Sequence, residues 1–344
     1  MQHRMLQPGP LLSDRGELME AGYAHRLIKH YDRQAIKASP LKIKEWDYYL
    51  VANDYCALAL TMADNGYMGL DSISLLDFSA PSQRTVSRML PFPRGKRALP
   101  PDSSAGTLRG IGKRYEMTFR TDHDKRHLYG HMYDFGGPGK PLLFDIILHN
   151  PPQDSMVIAT PFPEKATAFY YNQKINCMPA DGRVIYDEKE YLFSPAASFG
   201  VLDWGRGVWT YNNTWYWSSA SGVVEGLRFG FNFGYGFGDT TAATENMLFY
   251  DGVAHKLEDV QFHITMVNGR EDYLAPWTIT DNRDRVRLAF QPIIDRAADT
   301  NLLLLRSNQH QIFGRFSGTV KLDTGRVLQI NNLIGFAEKV HNKW

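Results

Sequence analysis

The sequence is poor in the features that define several large classes of protein. Its 344 residues include only two cysteines, Cys56 and Cys177, and two cysteines build neither a disulfide framework nor a zinc site by themselves. No run of apolar residues approaches the length of about 18 needed for a membrane-spanning helix, so we expect no membrane span. Residues 1–16 lack the apolar core of a signal peptide, and we therefore expect a cytoplasmic protein.

An excess of charge of either sign is also missing. The formal net charge is +1 at pH 7, so no global field attracts nucleic acid or an anionic membrane surface. We therefore expect no nucleic-acid partner. A small-molecule substrate is the expected partner, and assembly into a homo-oligomer is left open.

The common catalytic and cofactor motifs are absent as well. The chain contains no P-loop, no GxGxxG that opens a helix, no GxSxG, no HExxH and no paired CxxC. His123, His127 and His131 recur every fourth residue in a strand-like segment, which places them on one face. Without a further ligand they make a weak metal site, and we expect neither a metal nor another cofactor.

What the chain does contain is the pattern of an antiparallel β protein. Short alternating runs are separated by turn signals such as residues 52–54 and 64–66, which favours a sandwich or barrel over βαβ units. By this criterion we count roughly 16 to 18 strands and at most one or two short helices, one of them over residues 20–37. Residues 79–110, rich in Pro, Ser, Arg and Gly, are expected to form a long loop or strap.

So many strands exceed what one small soluble barrel holds. We therefore predict an all-β fold of two antiparallel, barrel- or sandwich-like halves. The first would span residues 1–190, including an N-terminal extension, and the second residues 191–344. The division is placed where prolines and glycines interrupt the strand pattern.

The most regular alternation lies in residues 227–238. Its odd positions are aromatic apart from Leu227, and its even positions are glycine apart from Arg228 and Asn232. Period two is the strand period, so one face is aromatic and the other nearly bare. Glycine inside a strand marks close approach by a ligand or by another backbone, or a bend. Both interpretations stay open: room for a ligand, or tight packing and curvature alone.

The segment before this strand is rich in tryptophan. Trp209, Tyr211, Trp215 and Trp217 share odd parity, so an unbroken strand would align their rings on one side. The preceding residues 203–207 (DWGRG) are expected to form a glycine-hinged turn in which Asp203 pairs with Arg206. Such a charge-assisted pair would be structural or would belong to a polar active site.

Acid–base chemistry needs a carboxyl group whose pKa is raised by burial, or one held ionised by a cation. Asp203 with Arg206 fits the second case and Glu245 fits the first, so these three are the candidate catalytic residues. Glu225 and Glu338 are further carboxylates beside aromatic or glycine-rich strands. The candidate substrate-binding residues are Trp209, Tyr211, Trp215, Trp217, Arg228, Asn232, Tyr171 and Lys174.

The chain resembles a bacterial family of unknown function, domain of unknown function 2804, over nearly its whole length. The resemblance is carried by residues 44–49 (KEWDYY), 170–174 (YYNQK), 203–209 (DWGRGVW), 234–238 (GYGFG) and 335–339 (GFAEK). More distantly, the pattern is similar to lipocalin-like double-barrel proteins related to carotenoid hydratases. This resemblance implies two lipocalin-like halves, and some such relatives are hydratases, isomerases or cyclases acting on lipophilic substrates. No acid residue is carried over from them.

Three functions follow as expectations. The first is a lyase or isomerase of hydratase type that uses acid–base chemistry on a small organic substrate in an aromatic-lined barrel cavity. The second is a carbohydrate-active enzyme of glycoside hydrolase type, because Trp and Tyr beside carboxylates also build sugar sites. The third is a lipophile-binding protein without catalysis. The arrangement of carboxylates around a cavity would discriminate among them.

Overall fold

The computed structural model describes residues 2–302 and 305–343, and its regular structure is almost entirely β. One 3-10 turn spans Arg33–Ala35. The strands are β1 Gly9–Pro10, β2 Gly22–Ala24, β3 Lys29–His30, β4 Lys44–Ala52, β5 Cys56–Asp64, β6 Met68–Asp77, β7 Ser82–Pro91, β8 Ala105–Gly112, β9 Tyr115–Asp122, β10 Lys125–Met132, β11 Leu142–His149, β12 Met156–Pro161, β13 Phe169–Tyr186, β14 Lys189–Phe193, β15 Phe199–Val208, β16 Asn212–Val224, β17 Leu227–Tyr235, β18 Met247–Tyr250, β19 Val253–Lys256, β20 Val260–His263, β21 Met266–Val267, β22 Arg270–Glu271, β23 Trp277–Asp281, β24 Val286–Leu302, β25 Leu305–Lys321 and β26 Val327–Lys343.

The first large sheet is built from the N-terminal part of the chain. Its order is β7-β6-β5-β4-β15-β13-β11-β10-β9-β8, with β2, β12 and β14 attached beside β13. The sheet curls until its two ends approach each other. Strands near the two ends are in contact, since the Tyr115 hydroxyl on β9 donates to Asp71 on β6 at 2.8 Å. Apolar side chains fill the interior, among them Leu60, Phe119 and Trp204.

The second large sheet has the order β19-β18-β17-β16-β26-β25-β24-β23-β20. The aromatic face of β17 turns into its core, where Phe231 and Phe233 pack with Trp277. This sheet also curls so that its ends come together. The contact is a hydrogen bond of 3.2 Å from the backbone N–H of Phe262 on β20 to the Tyr235 hydroxyl on β17. Apolar side chains therefore fill the space enclosed by each of the two curled sheets.

The prediction of an all-β protein with two antiparallel halves is confirmed. Two local predictions are wrong. Residues 20–37 form β2, β3 and the 3-10 turn instead of a helix, because Tyr23 pairs with Ile158 in the ladder between β2 and β12. Residues 79–110 contain β7 and most of β8, which are the edge strands of the first sheet. An edge strand is largely solvated and tolerates polar and proline residues, so its sequence looks like a loop.

Sheet membership changes between Val208, which ends β15, and Asn212, which begins β16. The division at residue 190 into two domains remains a prediction. In the part of the chain that the structure describes, no helix is long and apolar enough to cross a bilayer.

The two halves pack against each other through the outer faces of their sheets. One apolar layer at this interface includes Leu50 and Val201 from the first sheet, with Phe313 and Phe336 from the second. The burial of these side chains seals one end of the interface. Beyond the seal the two sheets separate and enclose a cavity.

Candidate functional site

A cavity of about 470 Å³ lies between the two sheets. The expectation of a cavity inside a barrel is therefore wrong, because side chains fill the interior of each half. The volume is typical of sites for small organic molecules. Its main aromatic and polar lining residues are Trp46, Tyr48, Thr61, Ser72, Tyr170, Lys174, Asp203, Trp209, Trp215, Trp217, Phe237, Glu245, Arg296, Gln311 and Glu338.

Strand register gathers the polar lining of the first sheet into one row. Lys174 on β13 is the backbone partner of Asp203 on β15, which in turn pairs with Tyr48 on β4. The row continues through Thr61 and Ser72 on β5 and β6. Because paired residues on neighbouring strands point to the same side of a sheet, all five side chains face the cavity.

A second row crosses the facing sheet. Trp217 on β16 pairs with Glu338 on β26, which pairs with Gln311 on β25, which pairs with Arg296 on β24. The two rows meet where the Tyr48 hydroxyl approaches the Gln311 Oε1 atom at 3.5 Å. The polar groups of the cavity therefore form a band between the sheets, next to the apolar seal.

On the other side of this band the lining becomes aromatic and apolar. Two residues along each strand, the register brings Trp46 beside Ala63 in the first sheet and Trp215 beside Val340 in the second. The Phe237 ring packs edge-on against Trp215 at 5.4 Å between centroids. A ligand in this space would contact indole faces while a polar part of it reached the band.

Asp203 is the most heavily hydrogen-bonded carboxylate in the band. It accepts from Lys174 Nζ at 2.9 Å, from Asn172 Nδ2 at 2.6 Å and from Trp46 Nε1 at 3.1 Å. The indole reaches it because Gly205 has no side chain: a Cβ there would lie 2.0 Å from the Trp46 ring. This glycine accommodates an indole within a continuous strand and does not act as the predicted hinge.

Glu245 enters the cavity from the segment between β17 and β18. Its Oε2 atom lies 3.8 Å from Lys174 Nζ, so the ammonium group contacts both Asp203 and Glu245. Burial raises the pKa of Glu245, and the nearby Lys174 charge opposes that effect.

The bare face of β17 is occupied by other parts of the protein. A Cβ at Gly234 would lie 2.6 Å from the Glu245 carboxyl carbon, and one at Gly230 would lie 2.6 Å from Cys177 Sγ. Close approach by neighbouring protein groups therefore accounts for these two glycines. One of those groups, Glu245, is itself part of the cavity wall.

Glu338 is the buried acid on the second sheet. It accepts hydrogen bonds from Trp215 Nε1 at 3.0 Å and from Gln311 Nε2 at 3.1 Å. Burial raises its pKa to about 7, although Trp215, Arg296 and Lys174 act in the opposite direction. The sequence singled out this residue only as a carboxylate near aromatic strands, since its partners lie on other strands.

Tyr170 adds a hydroxyl group to the same space. Its ring stacks on Trp46 at 6.0 Å and meets Phe237 edge-on at 4.9 Å. Burial raises its pKa well above the ordinary value, and the charges of Glu245 and Asp203 add to this. The hydroxyl is thus a neutral hydrogen-bonding group at the cavity wall.

The predicted pair of Asp203 with Arg206 does not form. The two residues are three apart on the continuous strand β15, so their side chains point to opposite faces. Arg206 turns away from the cavity and donates to Asp47 Oδ1 at 2.9 Å and to the Trp46 carbonyl oxygen at 2.7 Å. Its guanidinium group lies over the Trp204 ring at 4.2 Å, so the partner of Asp203 is Lys174 instead.

The row of four rings expected on one strand is interrupted. Strand β15 ends at Val208, and β16 begins only at Asn212. Trp209, Trp215 and Trp217 nevertheless line the cavity, because the chain crosses from one sheet to the other at the cavity wall. Tyr211 lies in the connecting turn, 53% exposed, and is not part of the lining.

Three other predicted binding residues also lie outside the lining. The Tyr171 hydroxyl donates to the Lys29 carbonyl oxygen at 3.1 Å on the core side of the first sheet. Arg228 donates to a backbone oxygen at the protein surface. Asn232 is fully buried and accepts from Trp217 Nε1 at 2.7 Å, so it supports a cavity residue from behind.

The three histidines are not brought together around a metal. His127 contacts the Asp145 carboxylate at 2.6 Å on an exposed face, and His131 packs against the Tyr133 ring at 4.3 Å. Within residues 2–302 and 305–343, no three His, Cys, Asp or Glu side chains are arranged to hold a metal ion.

Two curled antiparallel sheets packed against each other form a two-half, lipocalin-like fold. The chain belongs to the family described as domain of unknown function (DUF2804), whose model matches residues 2–344. Among curated proteins, none matches the chain significantly.

Two solved structures have the same fold. One is that of the "putative AttH" of Nitrosomonas europaea, with 11% identity, a TM-score of 0.56, and coverage of 90% of this chain and 97% of that one. The other is kievitone hydratase from Nectria haematococca, with 10% identity, a TM-score of 0.50, and coverage of 92% and 96%. At this identity the likeness shows the fold alone.

Proposed function

We propose that the protein is an enzyme of lyase or isomerase type, similar in chemistry to a hydratase. It would act on a small organic substrate held between the two sheets. The observation that carries the proposal is Glu338, a buried carboxyl on the cavity wall whose pKa is raised to about 7. Both its protonated and its ionised form are populated near neutral pH, which suits a general acid or base.

The proposed hydration begins with Glu338 in its protonated form. It gives its proton to one carbon of an activated double bond, while water adds its oxygen atom to the other carbon. The proton that water loses passes to Asp203, whose charge is balanced by Lys174 at 2.9 Å. The product carries one new C–H bond and one new hydroxyl group, and solvent returns both carboxyls to their starting states. Isomerisation would use the same proton transfers without addition of water.

Glu245 and Tyr170 have supporting roles in this proposal. Glu245 lies 3.8 Å from the Lys174 ammonium group and shares its charge with Asp203, which lies at 2.9 Å. The Tyr170 hydroxyl remains protonated because burial raises its pKa, so it can donate a hydrogen bond to a substrate oxygen. The indoles of Trp46 and Trp215 would bind the apolar body of the substrate.

The presence of three carboxyl groups at one cavity is the observation that favours the alternative, a glycoside hydrolase. Such enzymes place a sugar between two carboxyl groups. Here, however, Asp203 and Glu245 both form ion pairs with the Lys174 ammonium group, at 2.9 and 3.8 Å. Binding of a lipophile without catalysis is also less favoured, because buried ionisable groups are costly in a purely apolar site. The hydratase-type proposal agrees better with both features.

The test is a search for water addition and proton exchange. The purified protein would be incubated with a collection of unsaturated ring compounds in H₂¹⁸O and, separately, in D₂O, and products would be detected by mass spectrometry. We expect at least one compound to gain ¹⁸O or deuterium. Glu338→Gln should slow this reaction by about 100-fold or more.

Asp145→Asn is the matched control, since its carboxylate is 68% exposed on the first sheet. It should react at the wild-type rate. Equal rates for Glu338→Gln and the wild type would overturn the assignment of the acid. Absence of any exchange across the collection, together with tight binding of some compounds, would favour the binding protein instead.

A further inference from the structure

Lys174 and Arg296 are the buried or half-buried cations among the described residues that line the cavity, and of the two Arg296 lacks a carboxylate partner. Lys174 is paired with Asp203, and Arg206 is paired with Asp47. Arg296 lines the cavity and donates one hydrogen bond, from Nη1 to the Ser74 hydroxyl at 2.9 Å. Among the residues described, no Asp or Glu forms an ion pair with it.

The register explains why Arg296 forms no ion pair with Glu338, although its charge opposes the rise of the Glu338 pKa. Gln311 stands between the two on the intervening strand β25, and its amide nitrogen donates to Glu338 at 3.1 Å. Arg296 and Glu338 are therefore two strands apart, which is about 10 Å between backbones. A positive group thus lies at one end of the polar band, separated from the acid by one amide side chain.

A half-buried guanidinium group with one neutral partner has several donors left for an anion. Arginine presents a planar set of N–H groups that matches a carboxylate in two parallel hydrogen bonds. The opposite end of the band is already balanced, because Lys174 contacts two carboxylates. An anionic ligand would therefore meet favourable charge at the Arg296 end and nowhere else along the band.

A second positive residue, Arg306 on β25, lines the cavity and is exposed. A positive group that borders a cavity attracts anions and raises their local concentration. The Trp46 and Trp215 rings would bind the apolar part of such a molecule.

We propose that Arg296 binds the carboxylate of the substrate, which is therefore an amphipathic organic acid. This inference rests on the proposed function, because it places the reacting double bond of the same molecule at Glu338. The apolar body lies against Trp46 and Trp215. The acid group and the double bond are separated by the distance between Arg296 and Glu338 in the band.

The experiment compares matched acids and amides that differ only in charge. The probes are 2-naphthoate with 2-naphthamide, and cinnamate with cinnamamide. Binding is measured by calorimetry and by quenching of tryptophan fluorescence, at low and at moderate salt. We expect each acid to bind the wild-type protein more tightly than its amide. Arg296→Gln should weaken binding of the acids by about tenfold or more and leave the amides unchanged.

Two further variants distinguish the loss of the Arg296 charge from a loss of folded structure. Arg296→Lys keeps the charge and should retain part of the preference for acids. Arg283→Gln removes an exposed arginine that pairs with Glu258, and it should bind every probe as the wild type does. Thermal unfolding of each variant is recorded alongside.

Several outcomes would overturn the proposal. They are equal binding of acids and amides by the wild type, equal loss of both in Arg296→Gln, and failure of every acid to bind at millimolar concentration. The inference and the proposed function can fail separately. Arg296-dependent binding of acids without any exchange of ¹⁸O or deuterium would contradict only the proposed enzymatic function. Turnover that depends on Glu338 but not on Arg296 would contradict only the proposed contact between Arg296 and the substrate carboxylate.

Discussion

At the scale of single residues, the surroundings of each carboxyl group decide what it can do. Asp203 and Glu338 both line the cavity. Both accept hydrogen bonds from an indole and an amide, but only Asp203 also accepts one from an ammonium group, at 2.9 Å. The proposal therefore gives the two acids different parts in the reaction. The sequence analysis named Asp203 as a candidate catalytic residue and Glu338 only as a further carboxylate, because the partners of Glu338 lie on other strands.

The raised pKa of Glu338 has a consequence for stability. In the unfolded chain a glutamate has a pKa of about 4.3, whereas burial raises the pKa of Glu338 in the folded protein to about 7. Between these two pH values the folded protein holds a proton that the unfolded chain has released. Stability is then lost as the pH rises through this window. Relative to Glu338→Gln, which does not titrate, the wild-type free energy of unfolding should fall by roughly 2 to 3 kcal/mol from about pH 5 to about pH 8.

Urea unfolding of both proteins across this range measures the difference. Asp145→Asn serves as the control, because it removes a carboxylate that is 68% exposed. A wild-type curve that runs parallel to that of Glu338→Gln at every pH would contradict the burial of an ionisable acid at this position.

At the scale of the strand, Gly205 positions the indole that contacts Asp203. A Cβ at this residue would lie 2.0 Å from the Trp46 ring. Gly205→Ala should displace the ring, break the hydrogen bond from Trp46 to Asp203, and lower the free energy of unfolding by roughly 1 to 3 kcal/mol. Urea unfolding measures the stability, and fluorescence measures the binding of ring ligands, which should weaken as well.

Gly9→Ala is the control for this substitution, because a Cβ there would meet no atom within 4 Å. It should leave stability and binding close to wild type. If Gly205→Ala bound ring ligands normally, Trp46 would not be part of the binding surface.

At the scale of the whole molecule, the packed interface should make the two halves unfold together. Phe336 is fully buried in the seal, with its ring 4.6 Å from that of Trp217 and 5.7 Å from that of Phe313. Phe336→Ala removes these contacts and should cost about 3 to 5 kcal/mol. Hydrogen exchange followed by mass spectrometry should show faster exchange in β5 of the first sheet as well as in β25 of the second. Faster exchange confined to the second sheet would mean that the halves unfold independently.

Local alternation determined much of the fold. The runs that became β4, β5 and β6, and the turns between them, were visible because side chains alternate across a strand and turns need particular residues. The two-sheet, all-β architecture followed from the number of such runs. The strand-like pattern failed at the solvated edge strand β7, where no buried face marks the sequence.

Tertiary structure decided which residues share the site, because strand parity is a local property and the identity of the neighbouring strand is not. The sequence predicted that Asp203 and Arg206 pair within a glycine-hinged turn, and this was wrong because strand β15 continues through both residues and turns their side chains to opposite faces. Only the folded register brings Lys174 beside Asp203, and Glu338 within two strands of Arg296. The cavity itself exists because two filled sheets pack face to face and separate beyond an apolar seal, which depends on contacts between residues far apart in the chain.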